Sequence, residues 1–226
     1  MSLTMPSRTI ENYLKQLYLA EQSAQELPIP MGRLATLMNV VPGTATAMVK
    51  ALADSGLVDY SPRTGVQLSS AGSKLALHVL RRHRLIELFL VKIVGLDWSE
   101  VHDEAEELEH VISEKLLARI DALLDHPATD PHGDPIPTVG GHVPPESVET
   151  FVTCKLNRSV EITRIVDQEP RFLQFVRQCK LVPGARLMVR RRDEQADAVT
   201  IDLAGNSASP ITLSTSAAAK FLVRQV

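Results

Sequence analysis

The chain has 226 residues, a net charge of −3 and a 44% share of hydrophobic residues. This length allows one large domain or about two to three small ones, with a real hydrophobic core. No apolar run is long enough to cross a bilayer and the N-terminal residues lack a secretory-signal pattern, so we expect a cytoplasmic protein. Cys154 and Cys179 form no C-x-x-C motif, which argues against a disulfide framework or a zinc knuckle.

Charge is distributed unevenly along the chain. Residues 1–90 contain nine Lys or Arg and six Asp or Glu, whereas residues 97–125 contain ten acids and two bases. A basic N-terminal part is suited to phosphate, and clustered carboxylates are relieved by a bound cation.

The N-terminal third predicts a DNA-binding domain. After a first amphipathic helix, residues 31–38 and 43–55 predict two short helices around a tight turn, which is the helix-turn-helix pattern. Strand-like residues 57–60 and 66–68, joined by a turn that carries Arg63, add a wing. We therefore assign residues 1–74 to a winged helix-turn-helix domain.

Residues 75–126 predict a mainly helical domain that carries metal-ligand chemistry. A long amphipathic helix from Ser70 places His83 and Glu87 one turn apart, and Gly95 marks its end. The next predicted helix, 101–114, continues toward Ile120. Imidazole and carboxylate groups together suit divalent first-row metals. Four such side chains share one stripe of this helix, at offsets of four, seven and eight residues: His102, Glu106, Glu109 and His110.

The helical rise indicates two metal sites. His102 and His110 lie about 12 Å apart along a helix, too far to share one small ion. The simplest interpretation places Glu106, Glu109 and His110 in one site. In the other, His102 faces His83 and Glu87. The alternative is a solvated acidic helix with incidental histidines.

The C-terminal part predicts a linker followed by strands. Residues 127–155 are rich in proline, glycine and small polar residues, which predicts a linker without regular packing. Hydrophobic residues then alternate with a period of two, around a short helix at about 170–180. We expect residues 156–226 to form a small, mostly antiparallel β-barrel.

Four segments of the chain resemble the diphtheria-toxin-repressor family of metal-dependent transcriptional repressors. They are ENYLKQLY at 11–18, RRHRLIELFL at 81–90, GLDWSEVHDEAEELEH at 95–110 and PHGDPIP at 131–137. The resemblance implies a homodimer with winged-helix DNA-binding domains, a helical dimerisation domain that contains the metal sites, and a tethered SH3-like C-terminal domain.

The resemblance also implies particular ligands. An ancillary site would fall on His83, Glu87 and His102, with Glu169 as an additional ligand. The regulatory site would fall on Asn12, Glu106, Glu109 and His110, where Asn12 replaces the usual Met or Asp. Because iron sensors of the family commonly have Cys at the position of Glu106 and manganese sensors a carboxylate, we expect Mn²⁺, with Fe²⁺ as the alternative, at two sites per subunit.

These features predict a metal-activated repressor that binds double-stranded operator DNA as a dimer and controls metal homeostasis. Hydroxyls and a lysine suit phosphate oxygens, and small apolar groups suit thymine methyls. The predicted DNA contacts are Pro42, Thr44, Thr46, Ala47 and Lys50 on the recognition helix and Arg63 on the wing. The C-terminal domain either contacts the internal Pro-rich segment or acts as a tethered stabiliser.

Two other functions compete with this one. His/Glu clusters also build hydrolytic metal centres, but the chain has no nucleophile motif or phosphate loop. The second competitor is a winged-helix regulator that senses an organic ligand and uses its His/Glu cluster structurally.

Overall fold

The computed structural model describes residues 7–24, 27–144, 148–204 and 206–226, with the backbone alone at 206–209. The chain divides into two compact units. The first comprises Met1–His83, Leu108–Ser113 and Pro137–His142, and the second comprises Arg84–Glu107, Glu114–Ile136 and Val143–Val226. None of the described helices has the length and hydrophobicity of a transmembrane segment. The sequence-based boundaries at residues 74, 126 and 155 stay predictions.

The first unit contains the expected winged helix-turn-helix. Its first helix begins after Ser7, whose hydroxyl accepts a hydrogen bond from the Ile10 N–H. Buried apolar side chains of this helix, such as Leu14 and Leu17, pack with those of the next two helices in one core. The elements are α1 (Arg8–Ser23), α2 (Met31–Leu37), α3 (Pro42–Asp54), β1 (Val58–Ser61) and β2 (Gly65–Leu68).

The wing is an antiparallel hairpin in which Val58 pairs with Leu68 and Ser61 with Gly65. Ile29 adds a short third pairing, because it exchanges backbone hydrogen bonds of 2.8 and 2.9 Å with Val66. Gly65 has a φ of +130°, and a Cβ there would lie 2.3 Å from the Ile29 carbonyl oxygen. Only glycine therefore fits where the wing approaches this residue.

Helix α4 (Ser70–Phe89) contributes residues to both units and continues as a π-helical turn, Leu90–Val94. Gly95, in the left-handed conformation, ends it as predicted. The predicted helix over 101–114 is wrong at its C-terminal end. Helix α5 spans Val101–Leu108, a turn follows, and α6 begins separately as Glu114–Leu123. Glu109 and His110 consequently lie in the turn and not on the stripe of α5.

The second unit also contains an antiparallel sheet in the order β6-β5-β4-β3-β7. The period-two pattern correctly predicted the alternating burial of residues such as Val160, Ile162, Val199 and Ile201. These side chains form one core with helix α7. The elements are β3 (Ser159–Ile165), α7 (Pro170–Gln178), β4 (Arg186–Asp193), β5 (Ala198–Leu203), β6 (Asn206–Ser214), α8 (Thr215–Ala218) and β7 (Phe221–Gln225).

The predicted β-barrel is not closed. The sheet is five-stranded and open, because among the described residues no pairing joins the edge strands β6 and β7. Closure would need the free edge of β7, but part of this edge is already used. Thr150 bridges Leu222, and the Val223 N–H donates to the Glu149 carbonyl oxygen at 2.8 Å.

The PHGDPIP segment is packed within the second unit, which its composition alone did not indicate. His132 and Asp134 are buried. The Ile165 N–H donates to the His132 carbonyl oxygen at 2.9 Å, and Gly133 approaches β3 so closely that a Cβ would lie 2.0 Å from the Thr163 oxygen. Asp134 also accepts from Arg164 at 2.6 Å.

Candidate metal centre

Helix α1 and the turn after α5 form a buried polar cluster in the first unit. The His110 Nδ1 lies 2.5 Å from the Glu11 Oε2, and the Arg82 guanidinium lies 2.5 Å from the Glu11 Oε1. Since a carboxylate accepts, Nδ1 carries the proton of a neutral His110. The lone pair therefore lies on Nε2, which is the arrangement found in metal-binding histidines that donate to a carboxylate.

Glu109 is the fully buried carboxylate of this cluster. Its Oε1 lies 2.7 Å from the Lys15 ammonium and its Oε2 lies 2.5 Å from the His83 Nδ1. Burial raises the pKa of Glu109, but the hydrogen bond and charge of His83 and the ammonium of Lys15 outweigh burial and leave this pKa below its ordinary value. These tertiary contacts hold Glu109 in the turn, and they explain why the helix predicted from its i, i+3 and i+4 spacing does not continue past Leu108.

Two buried donor atoms in the first unit fit a divalent metal. The Asn12 Oδ1 and the His110 Nε2 have no hydrogen-bond partner among the described residues. The His110 Nε2 lies 3.3 Å from the Glu109 Oε1 without forming a hydrogen bond. A buried acceptor without a donor costs about 1–3 kcal/mol, which a cation would relieve. The oxygen and imidazole donors suit a first-row ion.

The second unit brings together other predicted ligands. The His102 Nδ1 lies 3.2 Å from the Glu87 Oε1, and its Nε2 lies 3.9 Å from the Glu106 Oε1. Glu87 is buried, Glu106 is partly buried and His102 is half exposed.

Sequence reasoning missed two buried neighbours of Glu87. The donor atoms of Glu87, Asp130 and His132 all lie within 4.8 Å of one another. The His132 Nε2 donates to the Trp98 carbonyl oxygen at 2.9 Å, which leaves a buried Nδ1 lone pair with no hydrogen-bond partner in the described chain. Burial, Asp134 and Glu87 raise the pKa of Asp130 well above its ordinary value, despite the opposing effect of Arg84. A bound cation would relieve this strained set of charges.

Glu169 has a structural role. It precedes α7 and its carboxylate accepts a hydrogen bond from the Phe172 N–H at 3.0 Å, which caps the helix. Among the described residues it belongs to none of the His, Cys, Asp and Glu groups whose donor atoms are close enough to share an ion.

The residues predicted to contact DNA lie on the surface of the first unit. Thr46 is partly buried, and its hydroxyl donates to the Pro42 carbonyl oxygen at 2.8 Å, which leaves its oxygen lone pairs as acceptors. The other five are exposed: Pro42, Thr44, Ala47 and Lys50 on α3, and Arg63 in the turn of the wing.

Some residues of the polar cluster could have been suspected from sequence. Glu11 and Lys15 lie four residues apart in α1, next to its buried apolar side chains. Because charged residues are almost never buried unless they are paired, this position suggests buried charges with partners elsewhere in the fold. Arg82 and His132 carry a weaker signal, because only their tertiary contacts distinguish them from ordinary polar residues.

A winged helix-turn-helix together with buried imidazole and carboxylate donors defines a metal-responsive, DNA-binding regulator. Family models agree with this class. Residues 5–66 match the iron dependent repressor, N-terminal DNA binding domain, residues 69–138 match the iron dependent repressor, metal binding and dimerisation domain, and residues 150–225 match the FeoA domain.

Individual proteins are similar as well. The iron-dependent repressor IdeR of Mycobacterium tuberculosis is 37% identical over 130 residues, which are 57% of this chain and 55% of IdeR. This match therefore spans about half the length of that relative. A structure described as a manganese-dependent transcriptional repressor in complex with manganese superposes with a TM-score of 0.85 at 35% identity, over 96% of this chain and 100% of the other. ScaR with bound Cd²⁺ superposes with a TM-score of 0.79 at 30% identity, over 98% of this chain and 100% of the other.

The chain belongs to the diphtheria-toxin-repressor family of metal-dependent transcriptional repressors. The members of this family are regulators and not enzymes, so the hydrolytic alternative is set aside.

Proposed function

We propose that this chain is a Mn²⁺-activated repressor, with Fe²⁺ as the nearest competing metal. The observation that carries the proposal is that the first unit holds two buried atoms able to bind a metal but without a hydrogen-bond partner among the described residues, the Asn12 Oδ1 and the His110 Nε2, the second of them 3.3 Å from the Glu109 Oε1. Hard oxygen donors with one imidazole suit Mn²⁺ better than a site with a thiolate. The two thiols of the chain, Cys154 and Cys179, pack in or against the core of the second unit. The similar repressor structure that contains manganese points the same way.

We assign the regulatory ion to Asn12, Glu106, Glu109 and His110. Glu109 and His110 belong to the buried cluster described above. Asn12 follows Glu11 on α1 and has a buried Oδ1, and Glu106 is included from its sequence position. Glu11 would orient His110 from outside the coordination sphere, because it accepts from the other ring nitrogen.

A second ion is assigned to Glu87 with His83 and His102, as the sequence predicts. The cap formed by Glu169 makes this residue the weakest ligand candidate of the set. Glu87, Asp130 and His132, all buried, form an alternative set of ligands for the second ion. Substituting His102 or His132 separately with Ala would distinguish the two sets, because only the true ligand should lower the number of bound ions per chain from two to one.

Metal would act by anchoring the DNA-binding head. Asn12 lies on α1, whose core includes side chains from the recognition helix α3, such as Val49 and Leu52. An ion that ties α1 to Glu109 and His110 would restrict the orientation of α3. Operator half-sites lie about one helical turn or a multiple of it apart, so a homodimer with fixed heads binds DNA better than one with mobile heads.

The exposed polar groups of α3 and the wing support an operator-binding surface that mainly reads phosphate and DNA shape. Lys50 and Arg63 would neutralise phosphates, and the Thr44 hydroxyl would donate to a phosphate oxygen, as would the Thr46 hydroxyl in place of its hydrogen bond to Pro42. The recognition helix has no Arg, Asn or Gln for bidentate base contacts, so we expect sequence-dependent DNA shape to supply much of the specificity.

The contact of PHGDPIP with strand β3 supports a stabilising role for the C-terminal region. Its hydrogen bonds and the ion pair of Asp134 with Arg164 involve buried groups, which a transient autoinhibitory contact would not need. We place the protein in the cytoplasm, where a bacterial or archaeal operator is found.

The direct test is operator binding with and without Mn²⁺. An operator is first selected from random DNA, and its affinity is then measured by fluorescence anisotropy for the wild type, the double variant E106A/H110A and the control E104A. Glu104 is an exposed acid of the same helix α5. We expect Mn²⁺ to increase affinity in the wild type and E104A and to have no effect in E106A/H110A. Equal stimulation of all three would reject the proposed switch, and insensitivity of the wild type to chelator would favour an organic ligand.

A further inference from the structure

We propose that Lys15 is a built-in competitor of the regulatory metal: its ammonium binds Glu109 in the metal-free protein, and the ion must displace it. The inference rests on the proposed function, because it takes Glu109 as a metal ligand. It adds a residue that lowers metal affinity and so sets the concentration of metal at which the repressor responds.

The contact between Lys15 and Glu109 is direct and buried. The two side chains are 3% and 0% exposed, and the Nζ lies 2.7 Å from the Glu109 Oε1. The same Oε1 lies 3.3 Å from the His110 Nε2, whose lone pair has no hydrogen-bond partner among the described residues. The ammonium therefore occupies the oxygen that a metal bound to His110 would also need.

The position of Lys15 in α1 makes this competition part of the switch. Lys15 follows Asn12 by three residues and Glu11 by four, so the three side chains lie on neighbouring positions of one helical face. One helix thus carries a candidate ligand, the group that orients His110, and a cation directed at Glu109.

Two carboxylates of the cluster are each already paired with a permanent cation. Glu109 pairs with Lys15, and Glu11 pairs with Arg82 at 2.5 Å. A divalent ion on Glu109 would add two positive charges within a few Å of the ammonium, and poorly screened like charges at that distance repel strongly. The flexible four-carbon stem of lysine lets the ammonium move away once the ion binds.

The test compares variants that differ only in the charge at this position. K15Q removes the charge but keeps a hydrogen-bond donor for Glu109, K15M removes both, and K15R keeps the charge. K74M removes an exposed lysine of α4 in the same unit and serves as the control. Mn²⁺ affinity is measured for each full-length protein by competition with a fluorescent chelator, and thermal unfolding by circular dichroism shows that each variant is folded.

We expect K15Q and K15M to bind Mn²⁺ at least about tenfold more tightly than the wild type, since the ion no longer meets a competing cation. K74M should stay within about twofold of the wild type, and K15R, which keeps a competing charge on Glu109, should bind Mn²⁺ no more tightly than the wild type. Crystals of the wild type grown with Mn²⁺ should show the Lys15 Nζ more than about 4 Å from the Glu109 carboxylate, beyond direct ion pairing. This measurement does not depend on the folding of any variant.

Two failures are distinguishable. If the wild type binds Mn²⁺ at His110 but K15Q and K15M bind it no more tightly, or if the Lys15 Nζ stays on Glu109 beside the bound ion, the inference is overturned and the proposed function stands. If the wild type binds no Mn²⁺ at all, the proposed function itself fails, and the inference with it.

Discussion

At the scale of single residues, the proposed metal site depends on how His110 is held. Glu11 occupies its Nδ1, and Arg82 in turn holds Glu11, so that the Nε2 lone pair is fixed in a buried position. The proposed ligand and its supporting carboxylate come from elements that are distant in sequence. Their role is a product of tertiary packing as much as of residue type.

This arrangement predicts an effect of E11Q on metal affinity. A neutral amide is a weaker acceptor for the Nδ1 proton of His110 and reduces its basicity, so Mn²⁺ affinity should fall by roughly 10- to 100-fold. Electron paramagnetic resonance of free Mn²⁺ measures the change, with E104Q as the control. Unaltered Mn²⁺ affinity in a folded E11Q protein would show that Glu11 does not support a ligand. Because Arg82 loses its buried partner, we also expect a lower melting temperature without metal.

We expect the lowered pKa of Asp97 to make the stability of the protein depend on pH. The N–H and hydroxyl of Ser99 lower the pKa of Asp97, with a smaller contribution from Arg177. A carboxyl with a lowered pKa in the folded state stabilises the protein above its unfolded-state pKa of about 3.9, and this contribution is lost as the pH falls through the folded-state pKa. Its side chain is 35% exposed, so screening limits the contribution to less than about 1 kcal/mol.

We therefore expect D97N to lower the free energy of unfolding at pH 7 and to differ less from the wild type at pH 3. Urea unfolding at both pH values measures this difference, with the exposed Glu194 changed to Gln as the control. A gap between D97N and the wild type that widens on acidification would contradict the assignment.

At the scale of secondary-structure elements, periodicity predicted the parts whose burial is regular. Helices α1 to α4 and strands β3 to β6 follow their apolar patterns because one face of each lies in a core. The pattern did not predict the end of α5 before Glu109, where a buried ion pair and a contact with His83 determine the backbone conformation. It also did not predict the open edges of the sheet, where pairing depends on residues outside the strands. Asp130 and His132 were missed because a proline-rich composition gives no sign of burial.

We expect the exposed leucines of helix α6 to lie in the dimer interface. Leu116 and Leu123 are 53% and 60% exposed and lie seven residues apart, on one face of this helix. Apolar side chains in such a row are typical of a subunit interface. We expect L116D/L123D to weaken dimerisation by roughly 100-fold, measured by sedimentation equilibrium. The control A118D places a charge at an exposed position on another side of α6, and dimers that persist in L116D/L123D would place the interface elsewhere.

Helix α3 and the wing predict the salt dependence of DNA binding. Replacing Lys50 or Arg63 with Ala should reduce the slope of log affinity against log salt concentration by about one for each phosphate that is no longer neutralised. Operator and unrelated DNA should be affected alike. If the effect of K50A on affinity depended on the identity of a single base pair, Lys50 would contact a base and not a phosphate. The control K74A measures the effect of losing a positive charge away from α3.

At the scale of the whole molecule, the proposed mechanism makes metal and DNA coupled ligands of one switch. The resemblance of four sequence segments was sufficient to predict the family and the classes of ligand. It did not predict Lys15 or the Asp130 and His132 pair, which depend on this chain's own packing. The central claim is that an ion held by Asn12, Glu106, Glu109 and His110 fixes the DNA-binding head through α1.

The most direct measurement of that claim is the Mn²⁺ affinity of the wild type with and without saturating operator DNA. Thermodynamic linkage requires that DNA tighten Mn²⁺ binding by the same factor by which Mn²⁺ tightens DNA binding, and we expect a factor of about 5 to 150. Equal Mn²⁺ affinities for the free and the operator-bound protein would contradict the account.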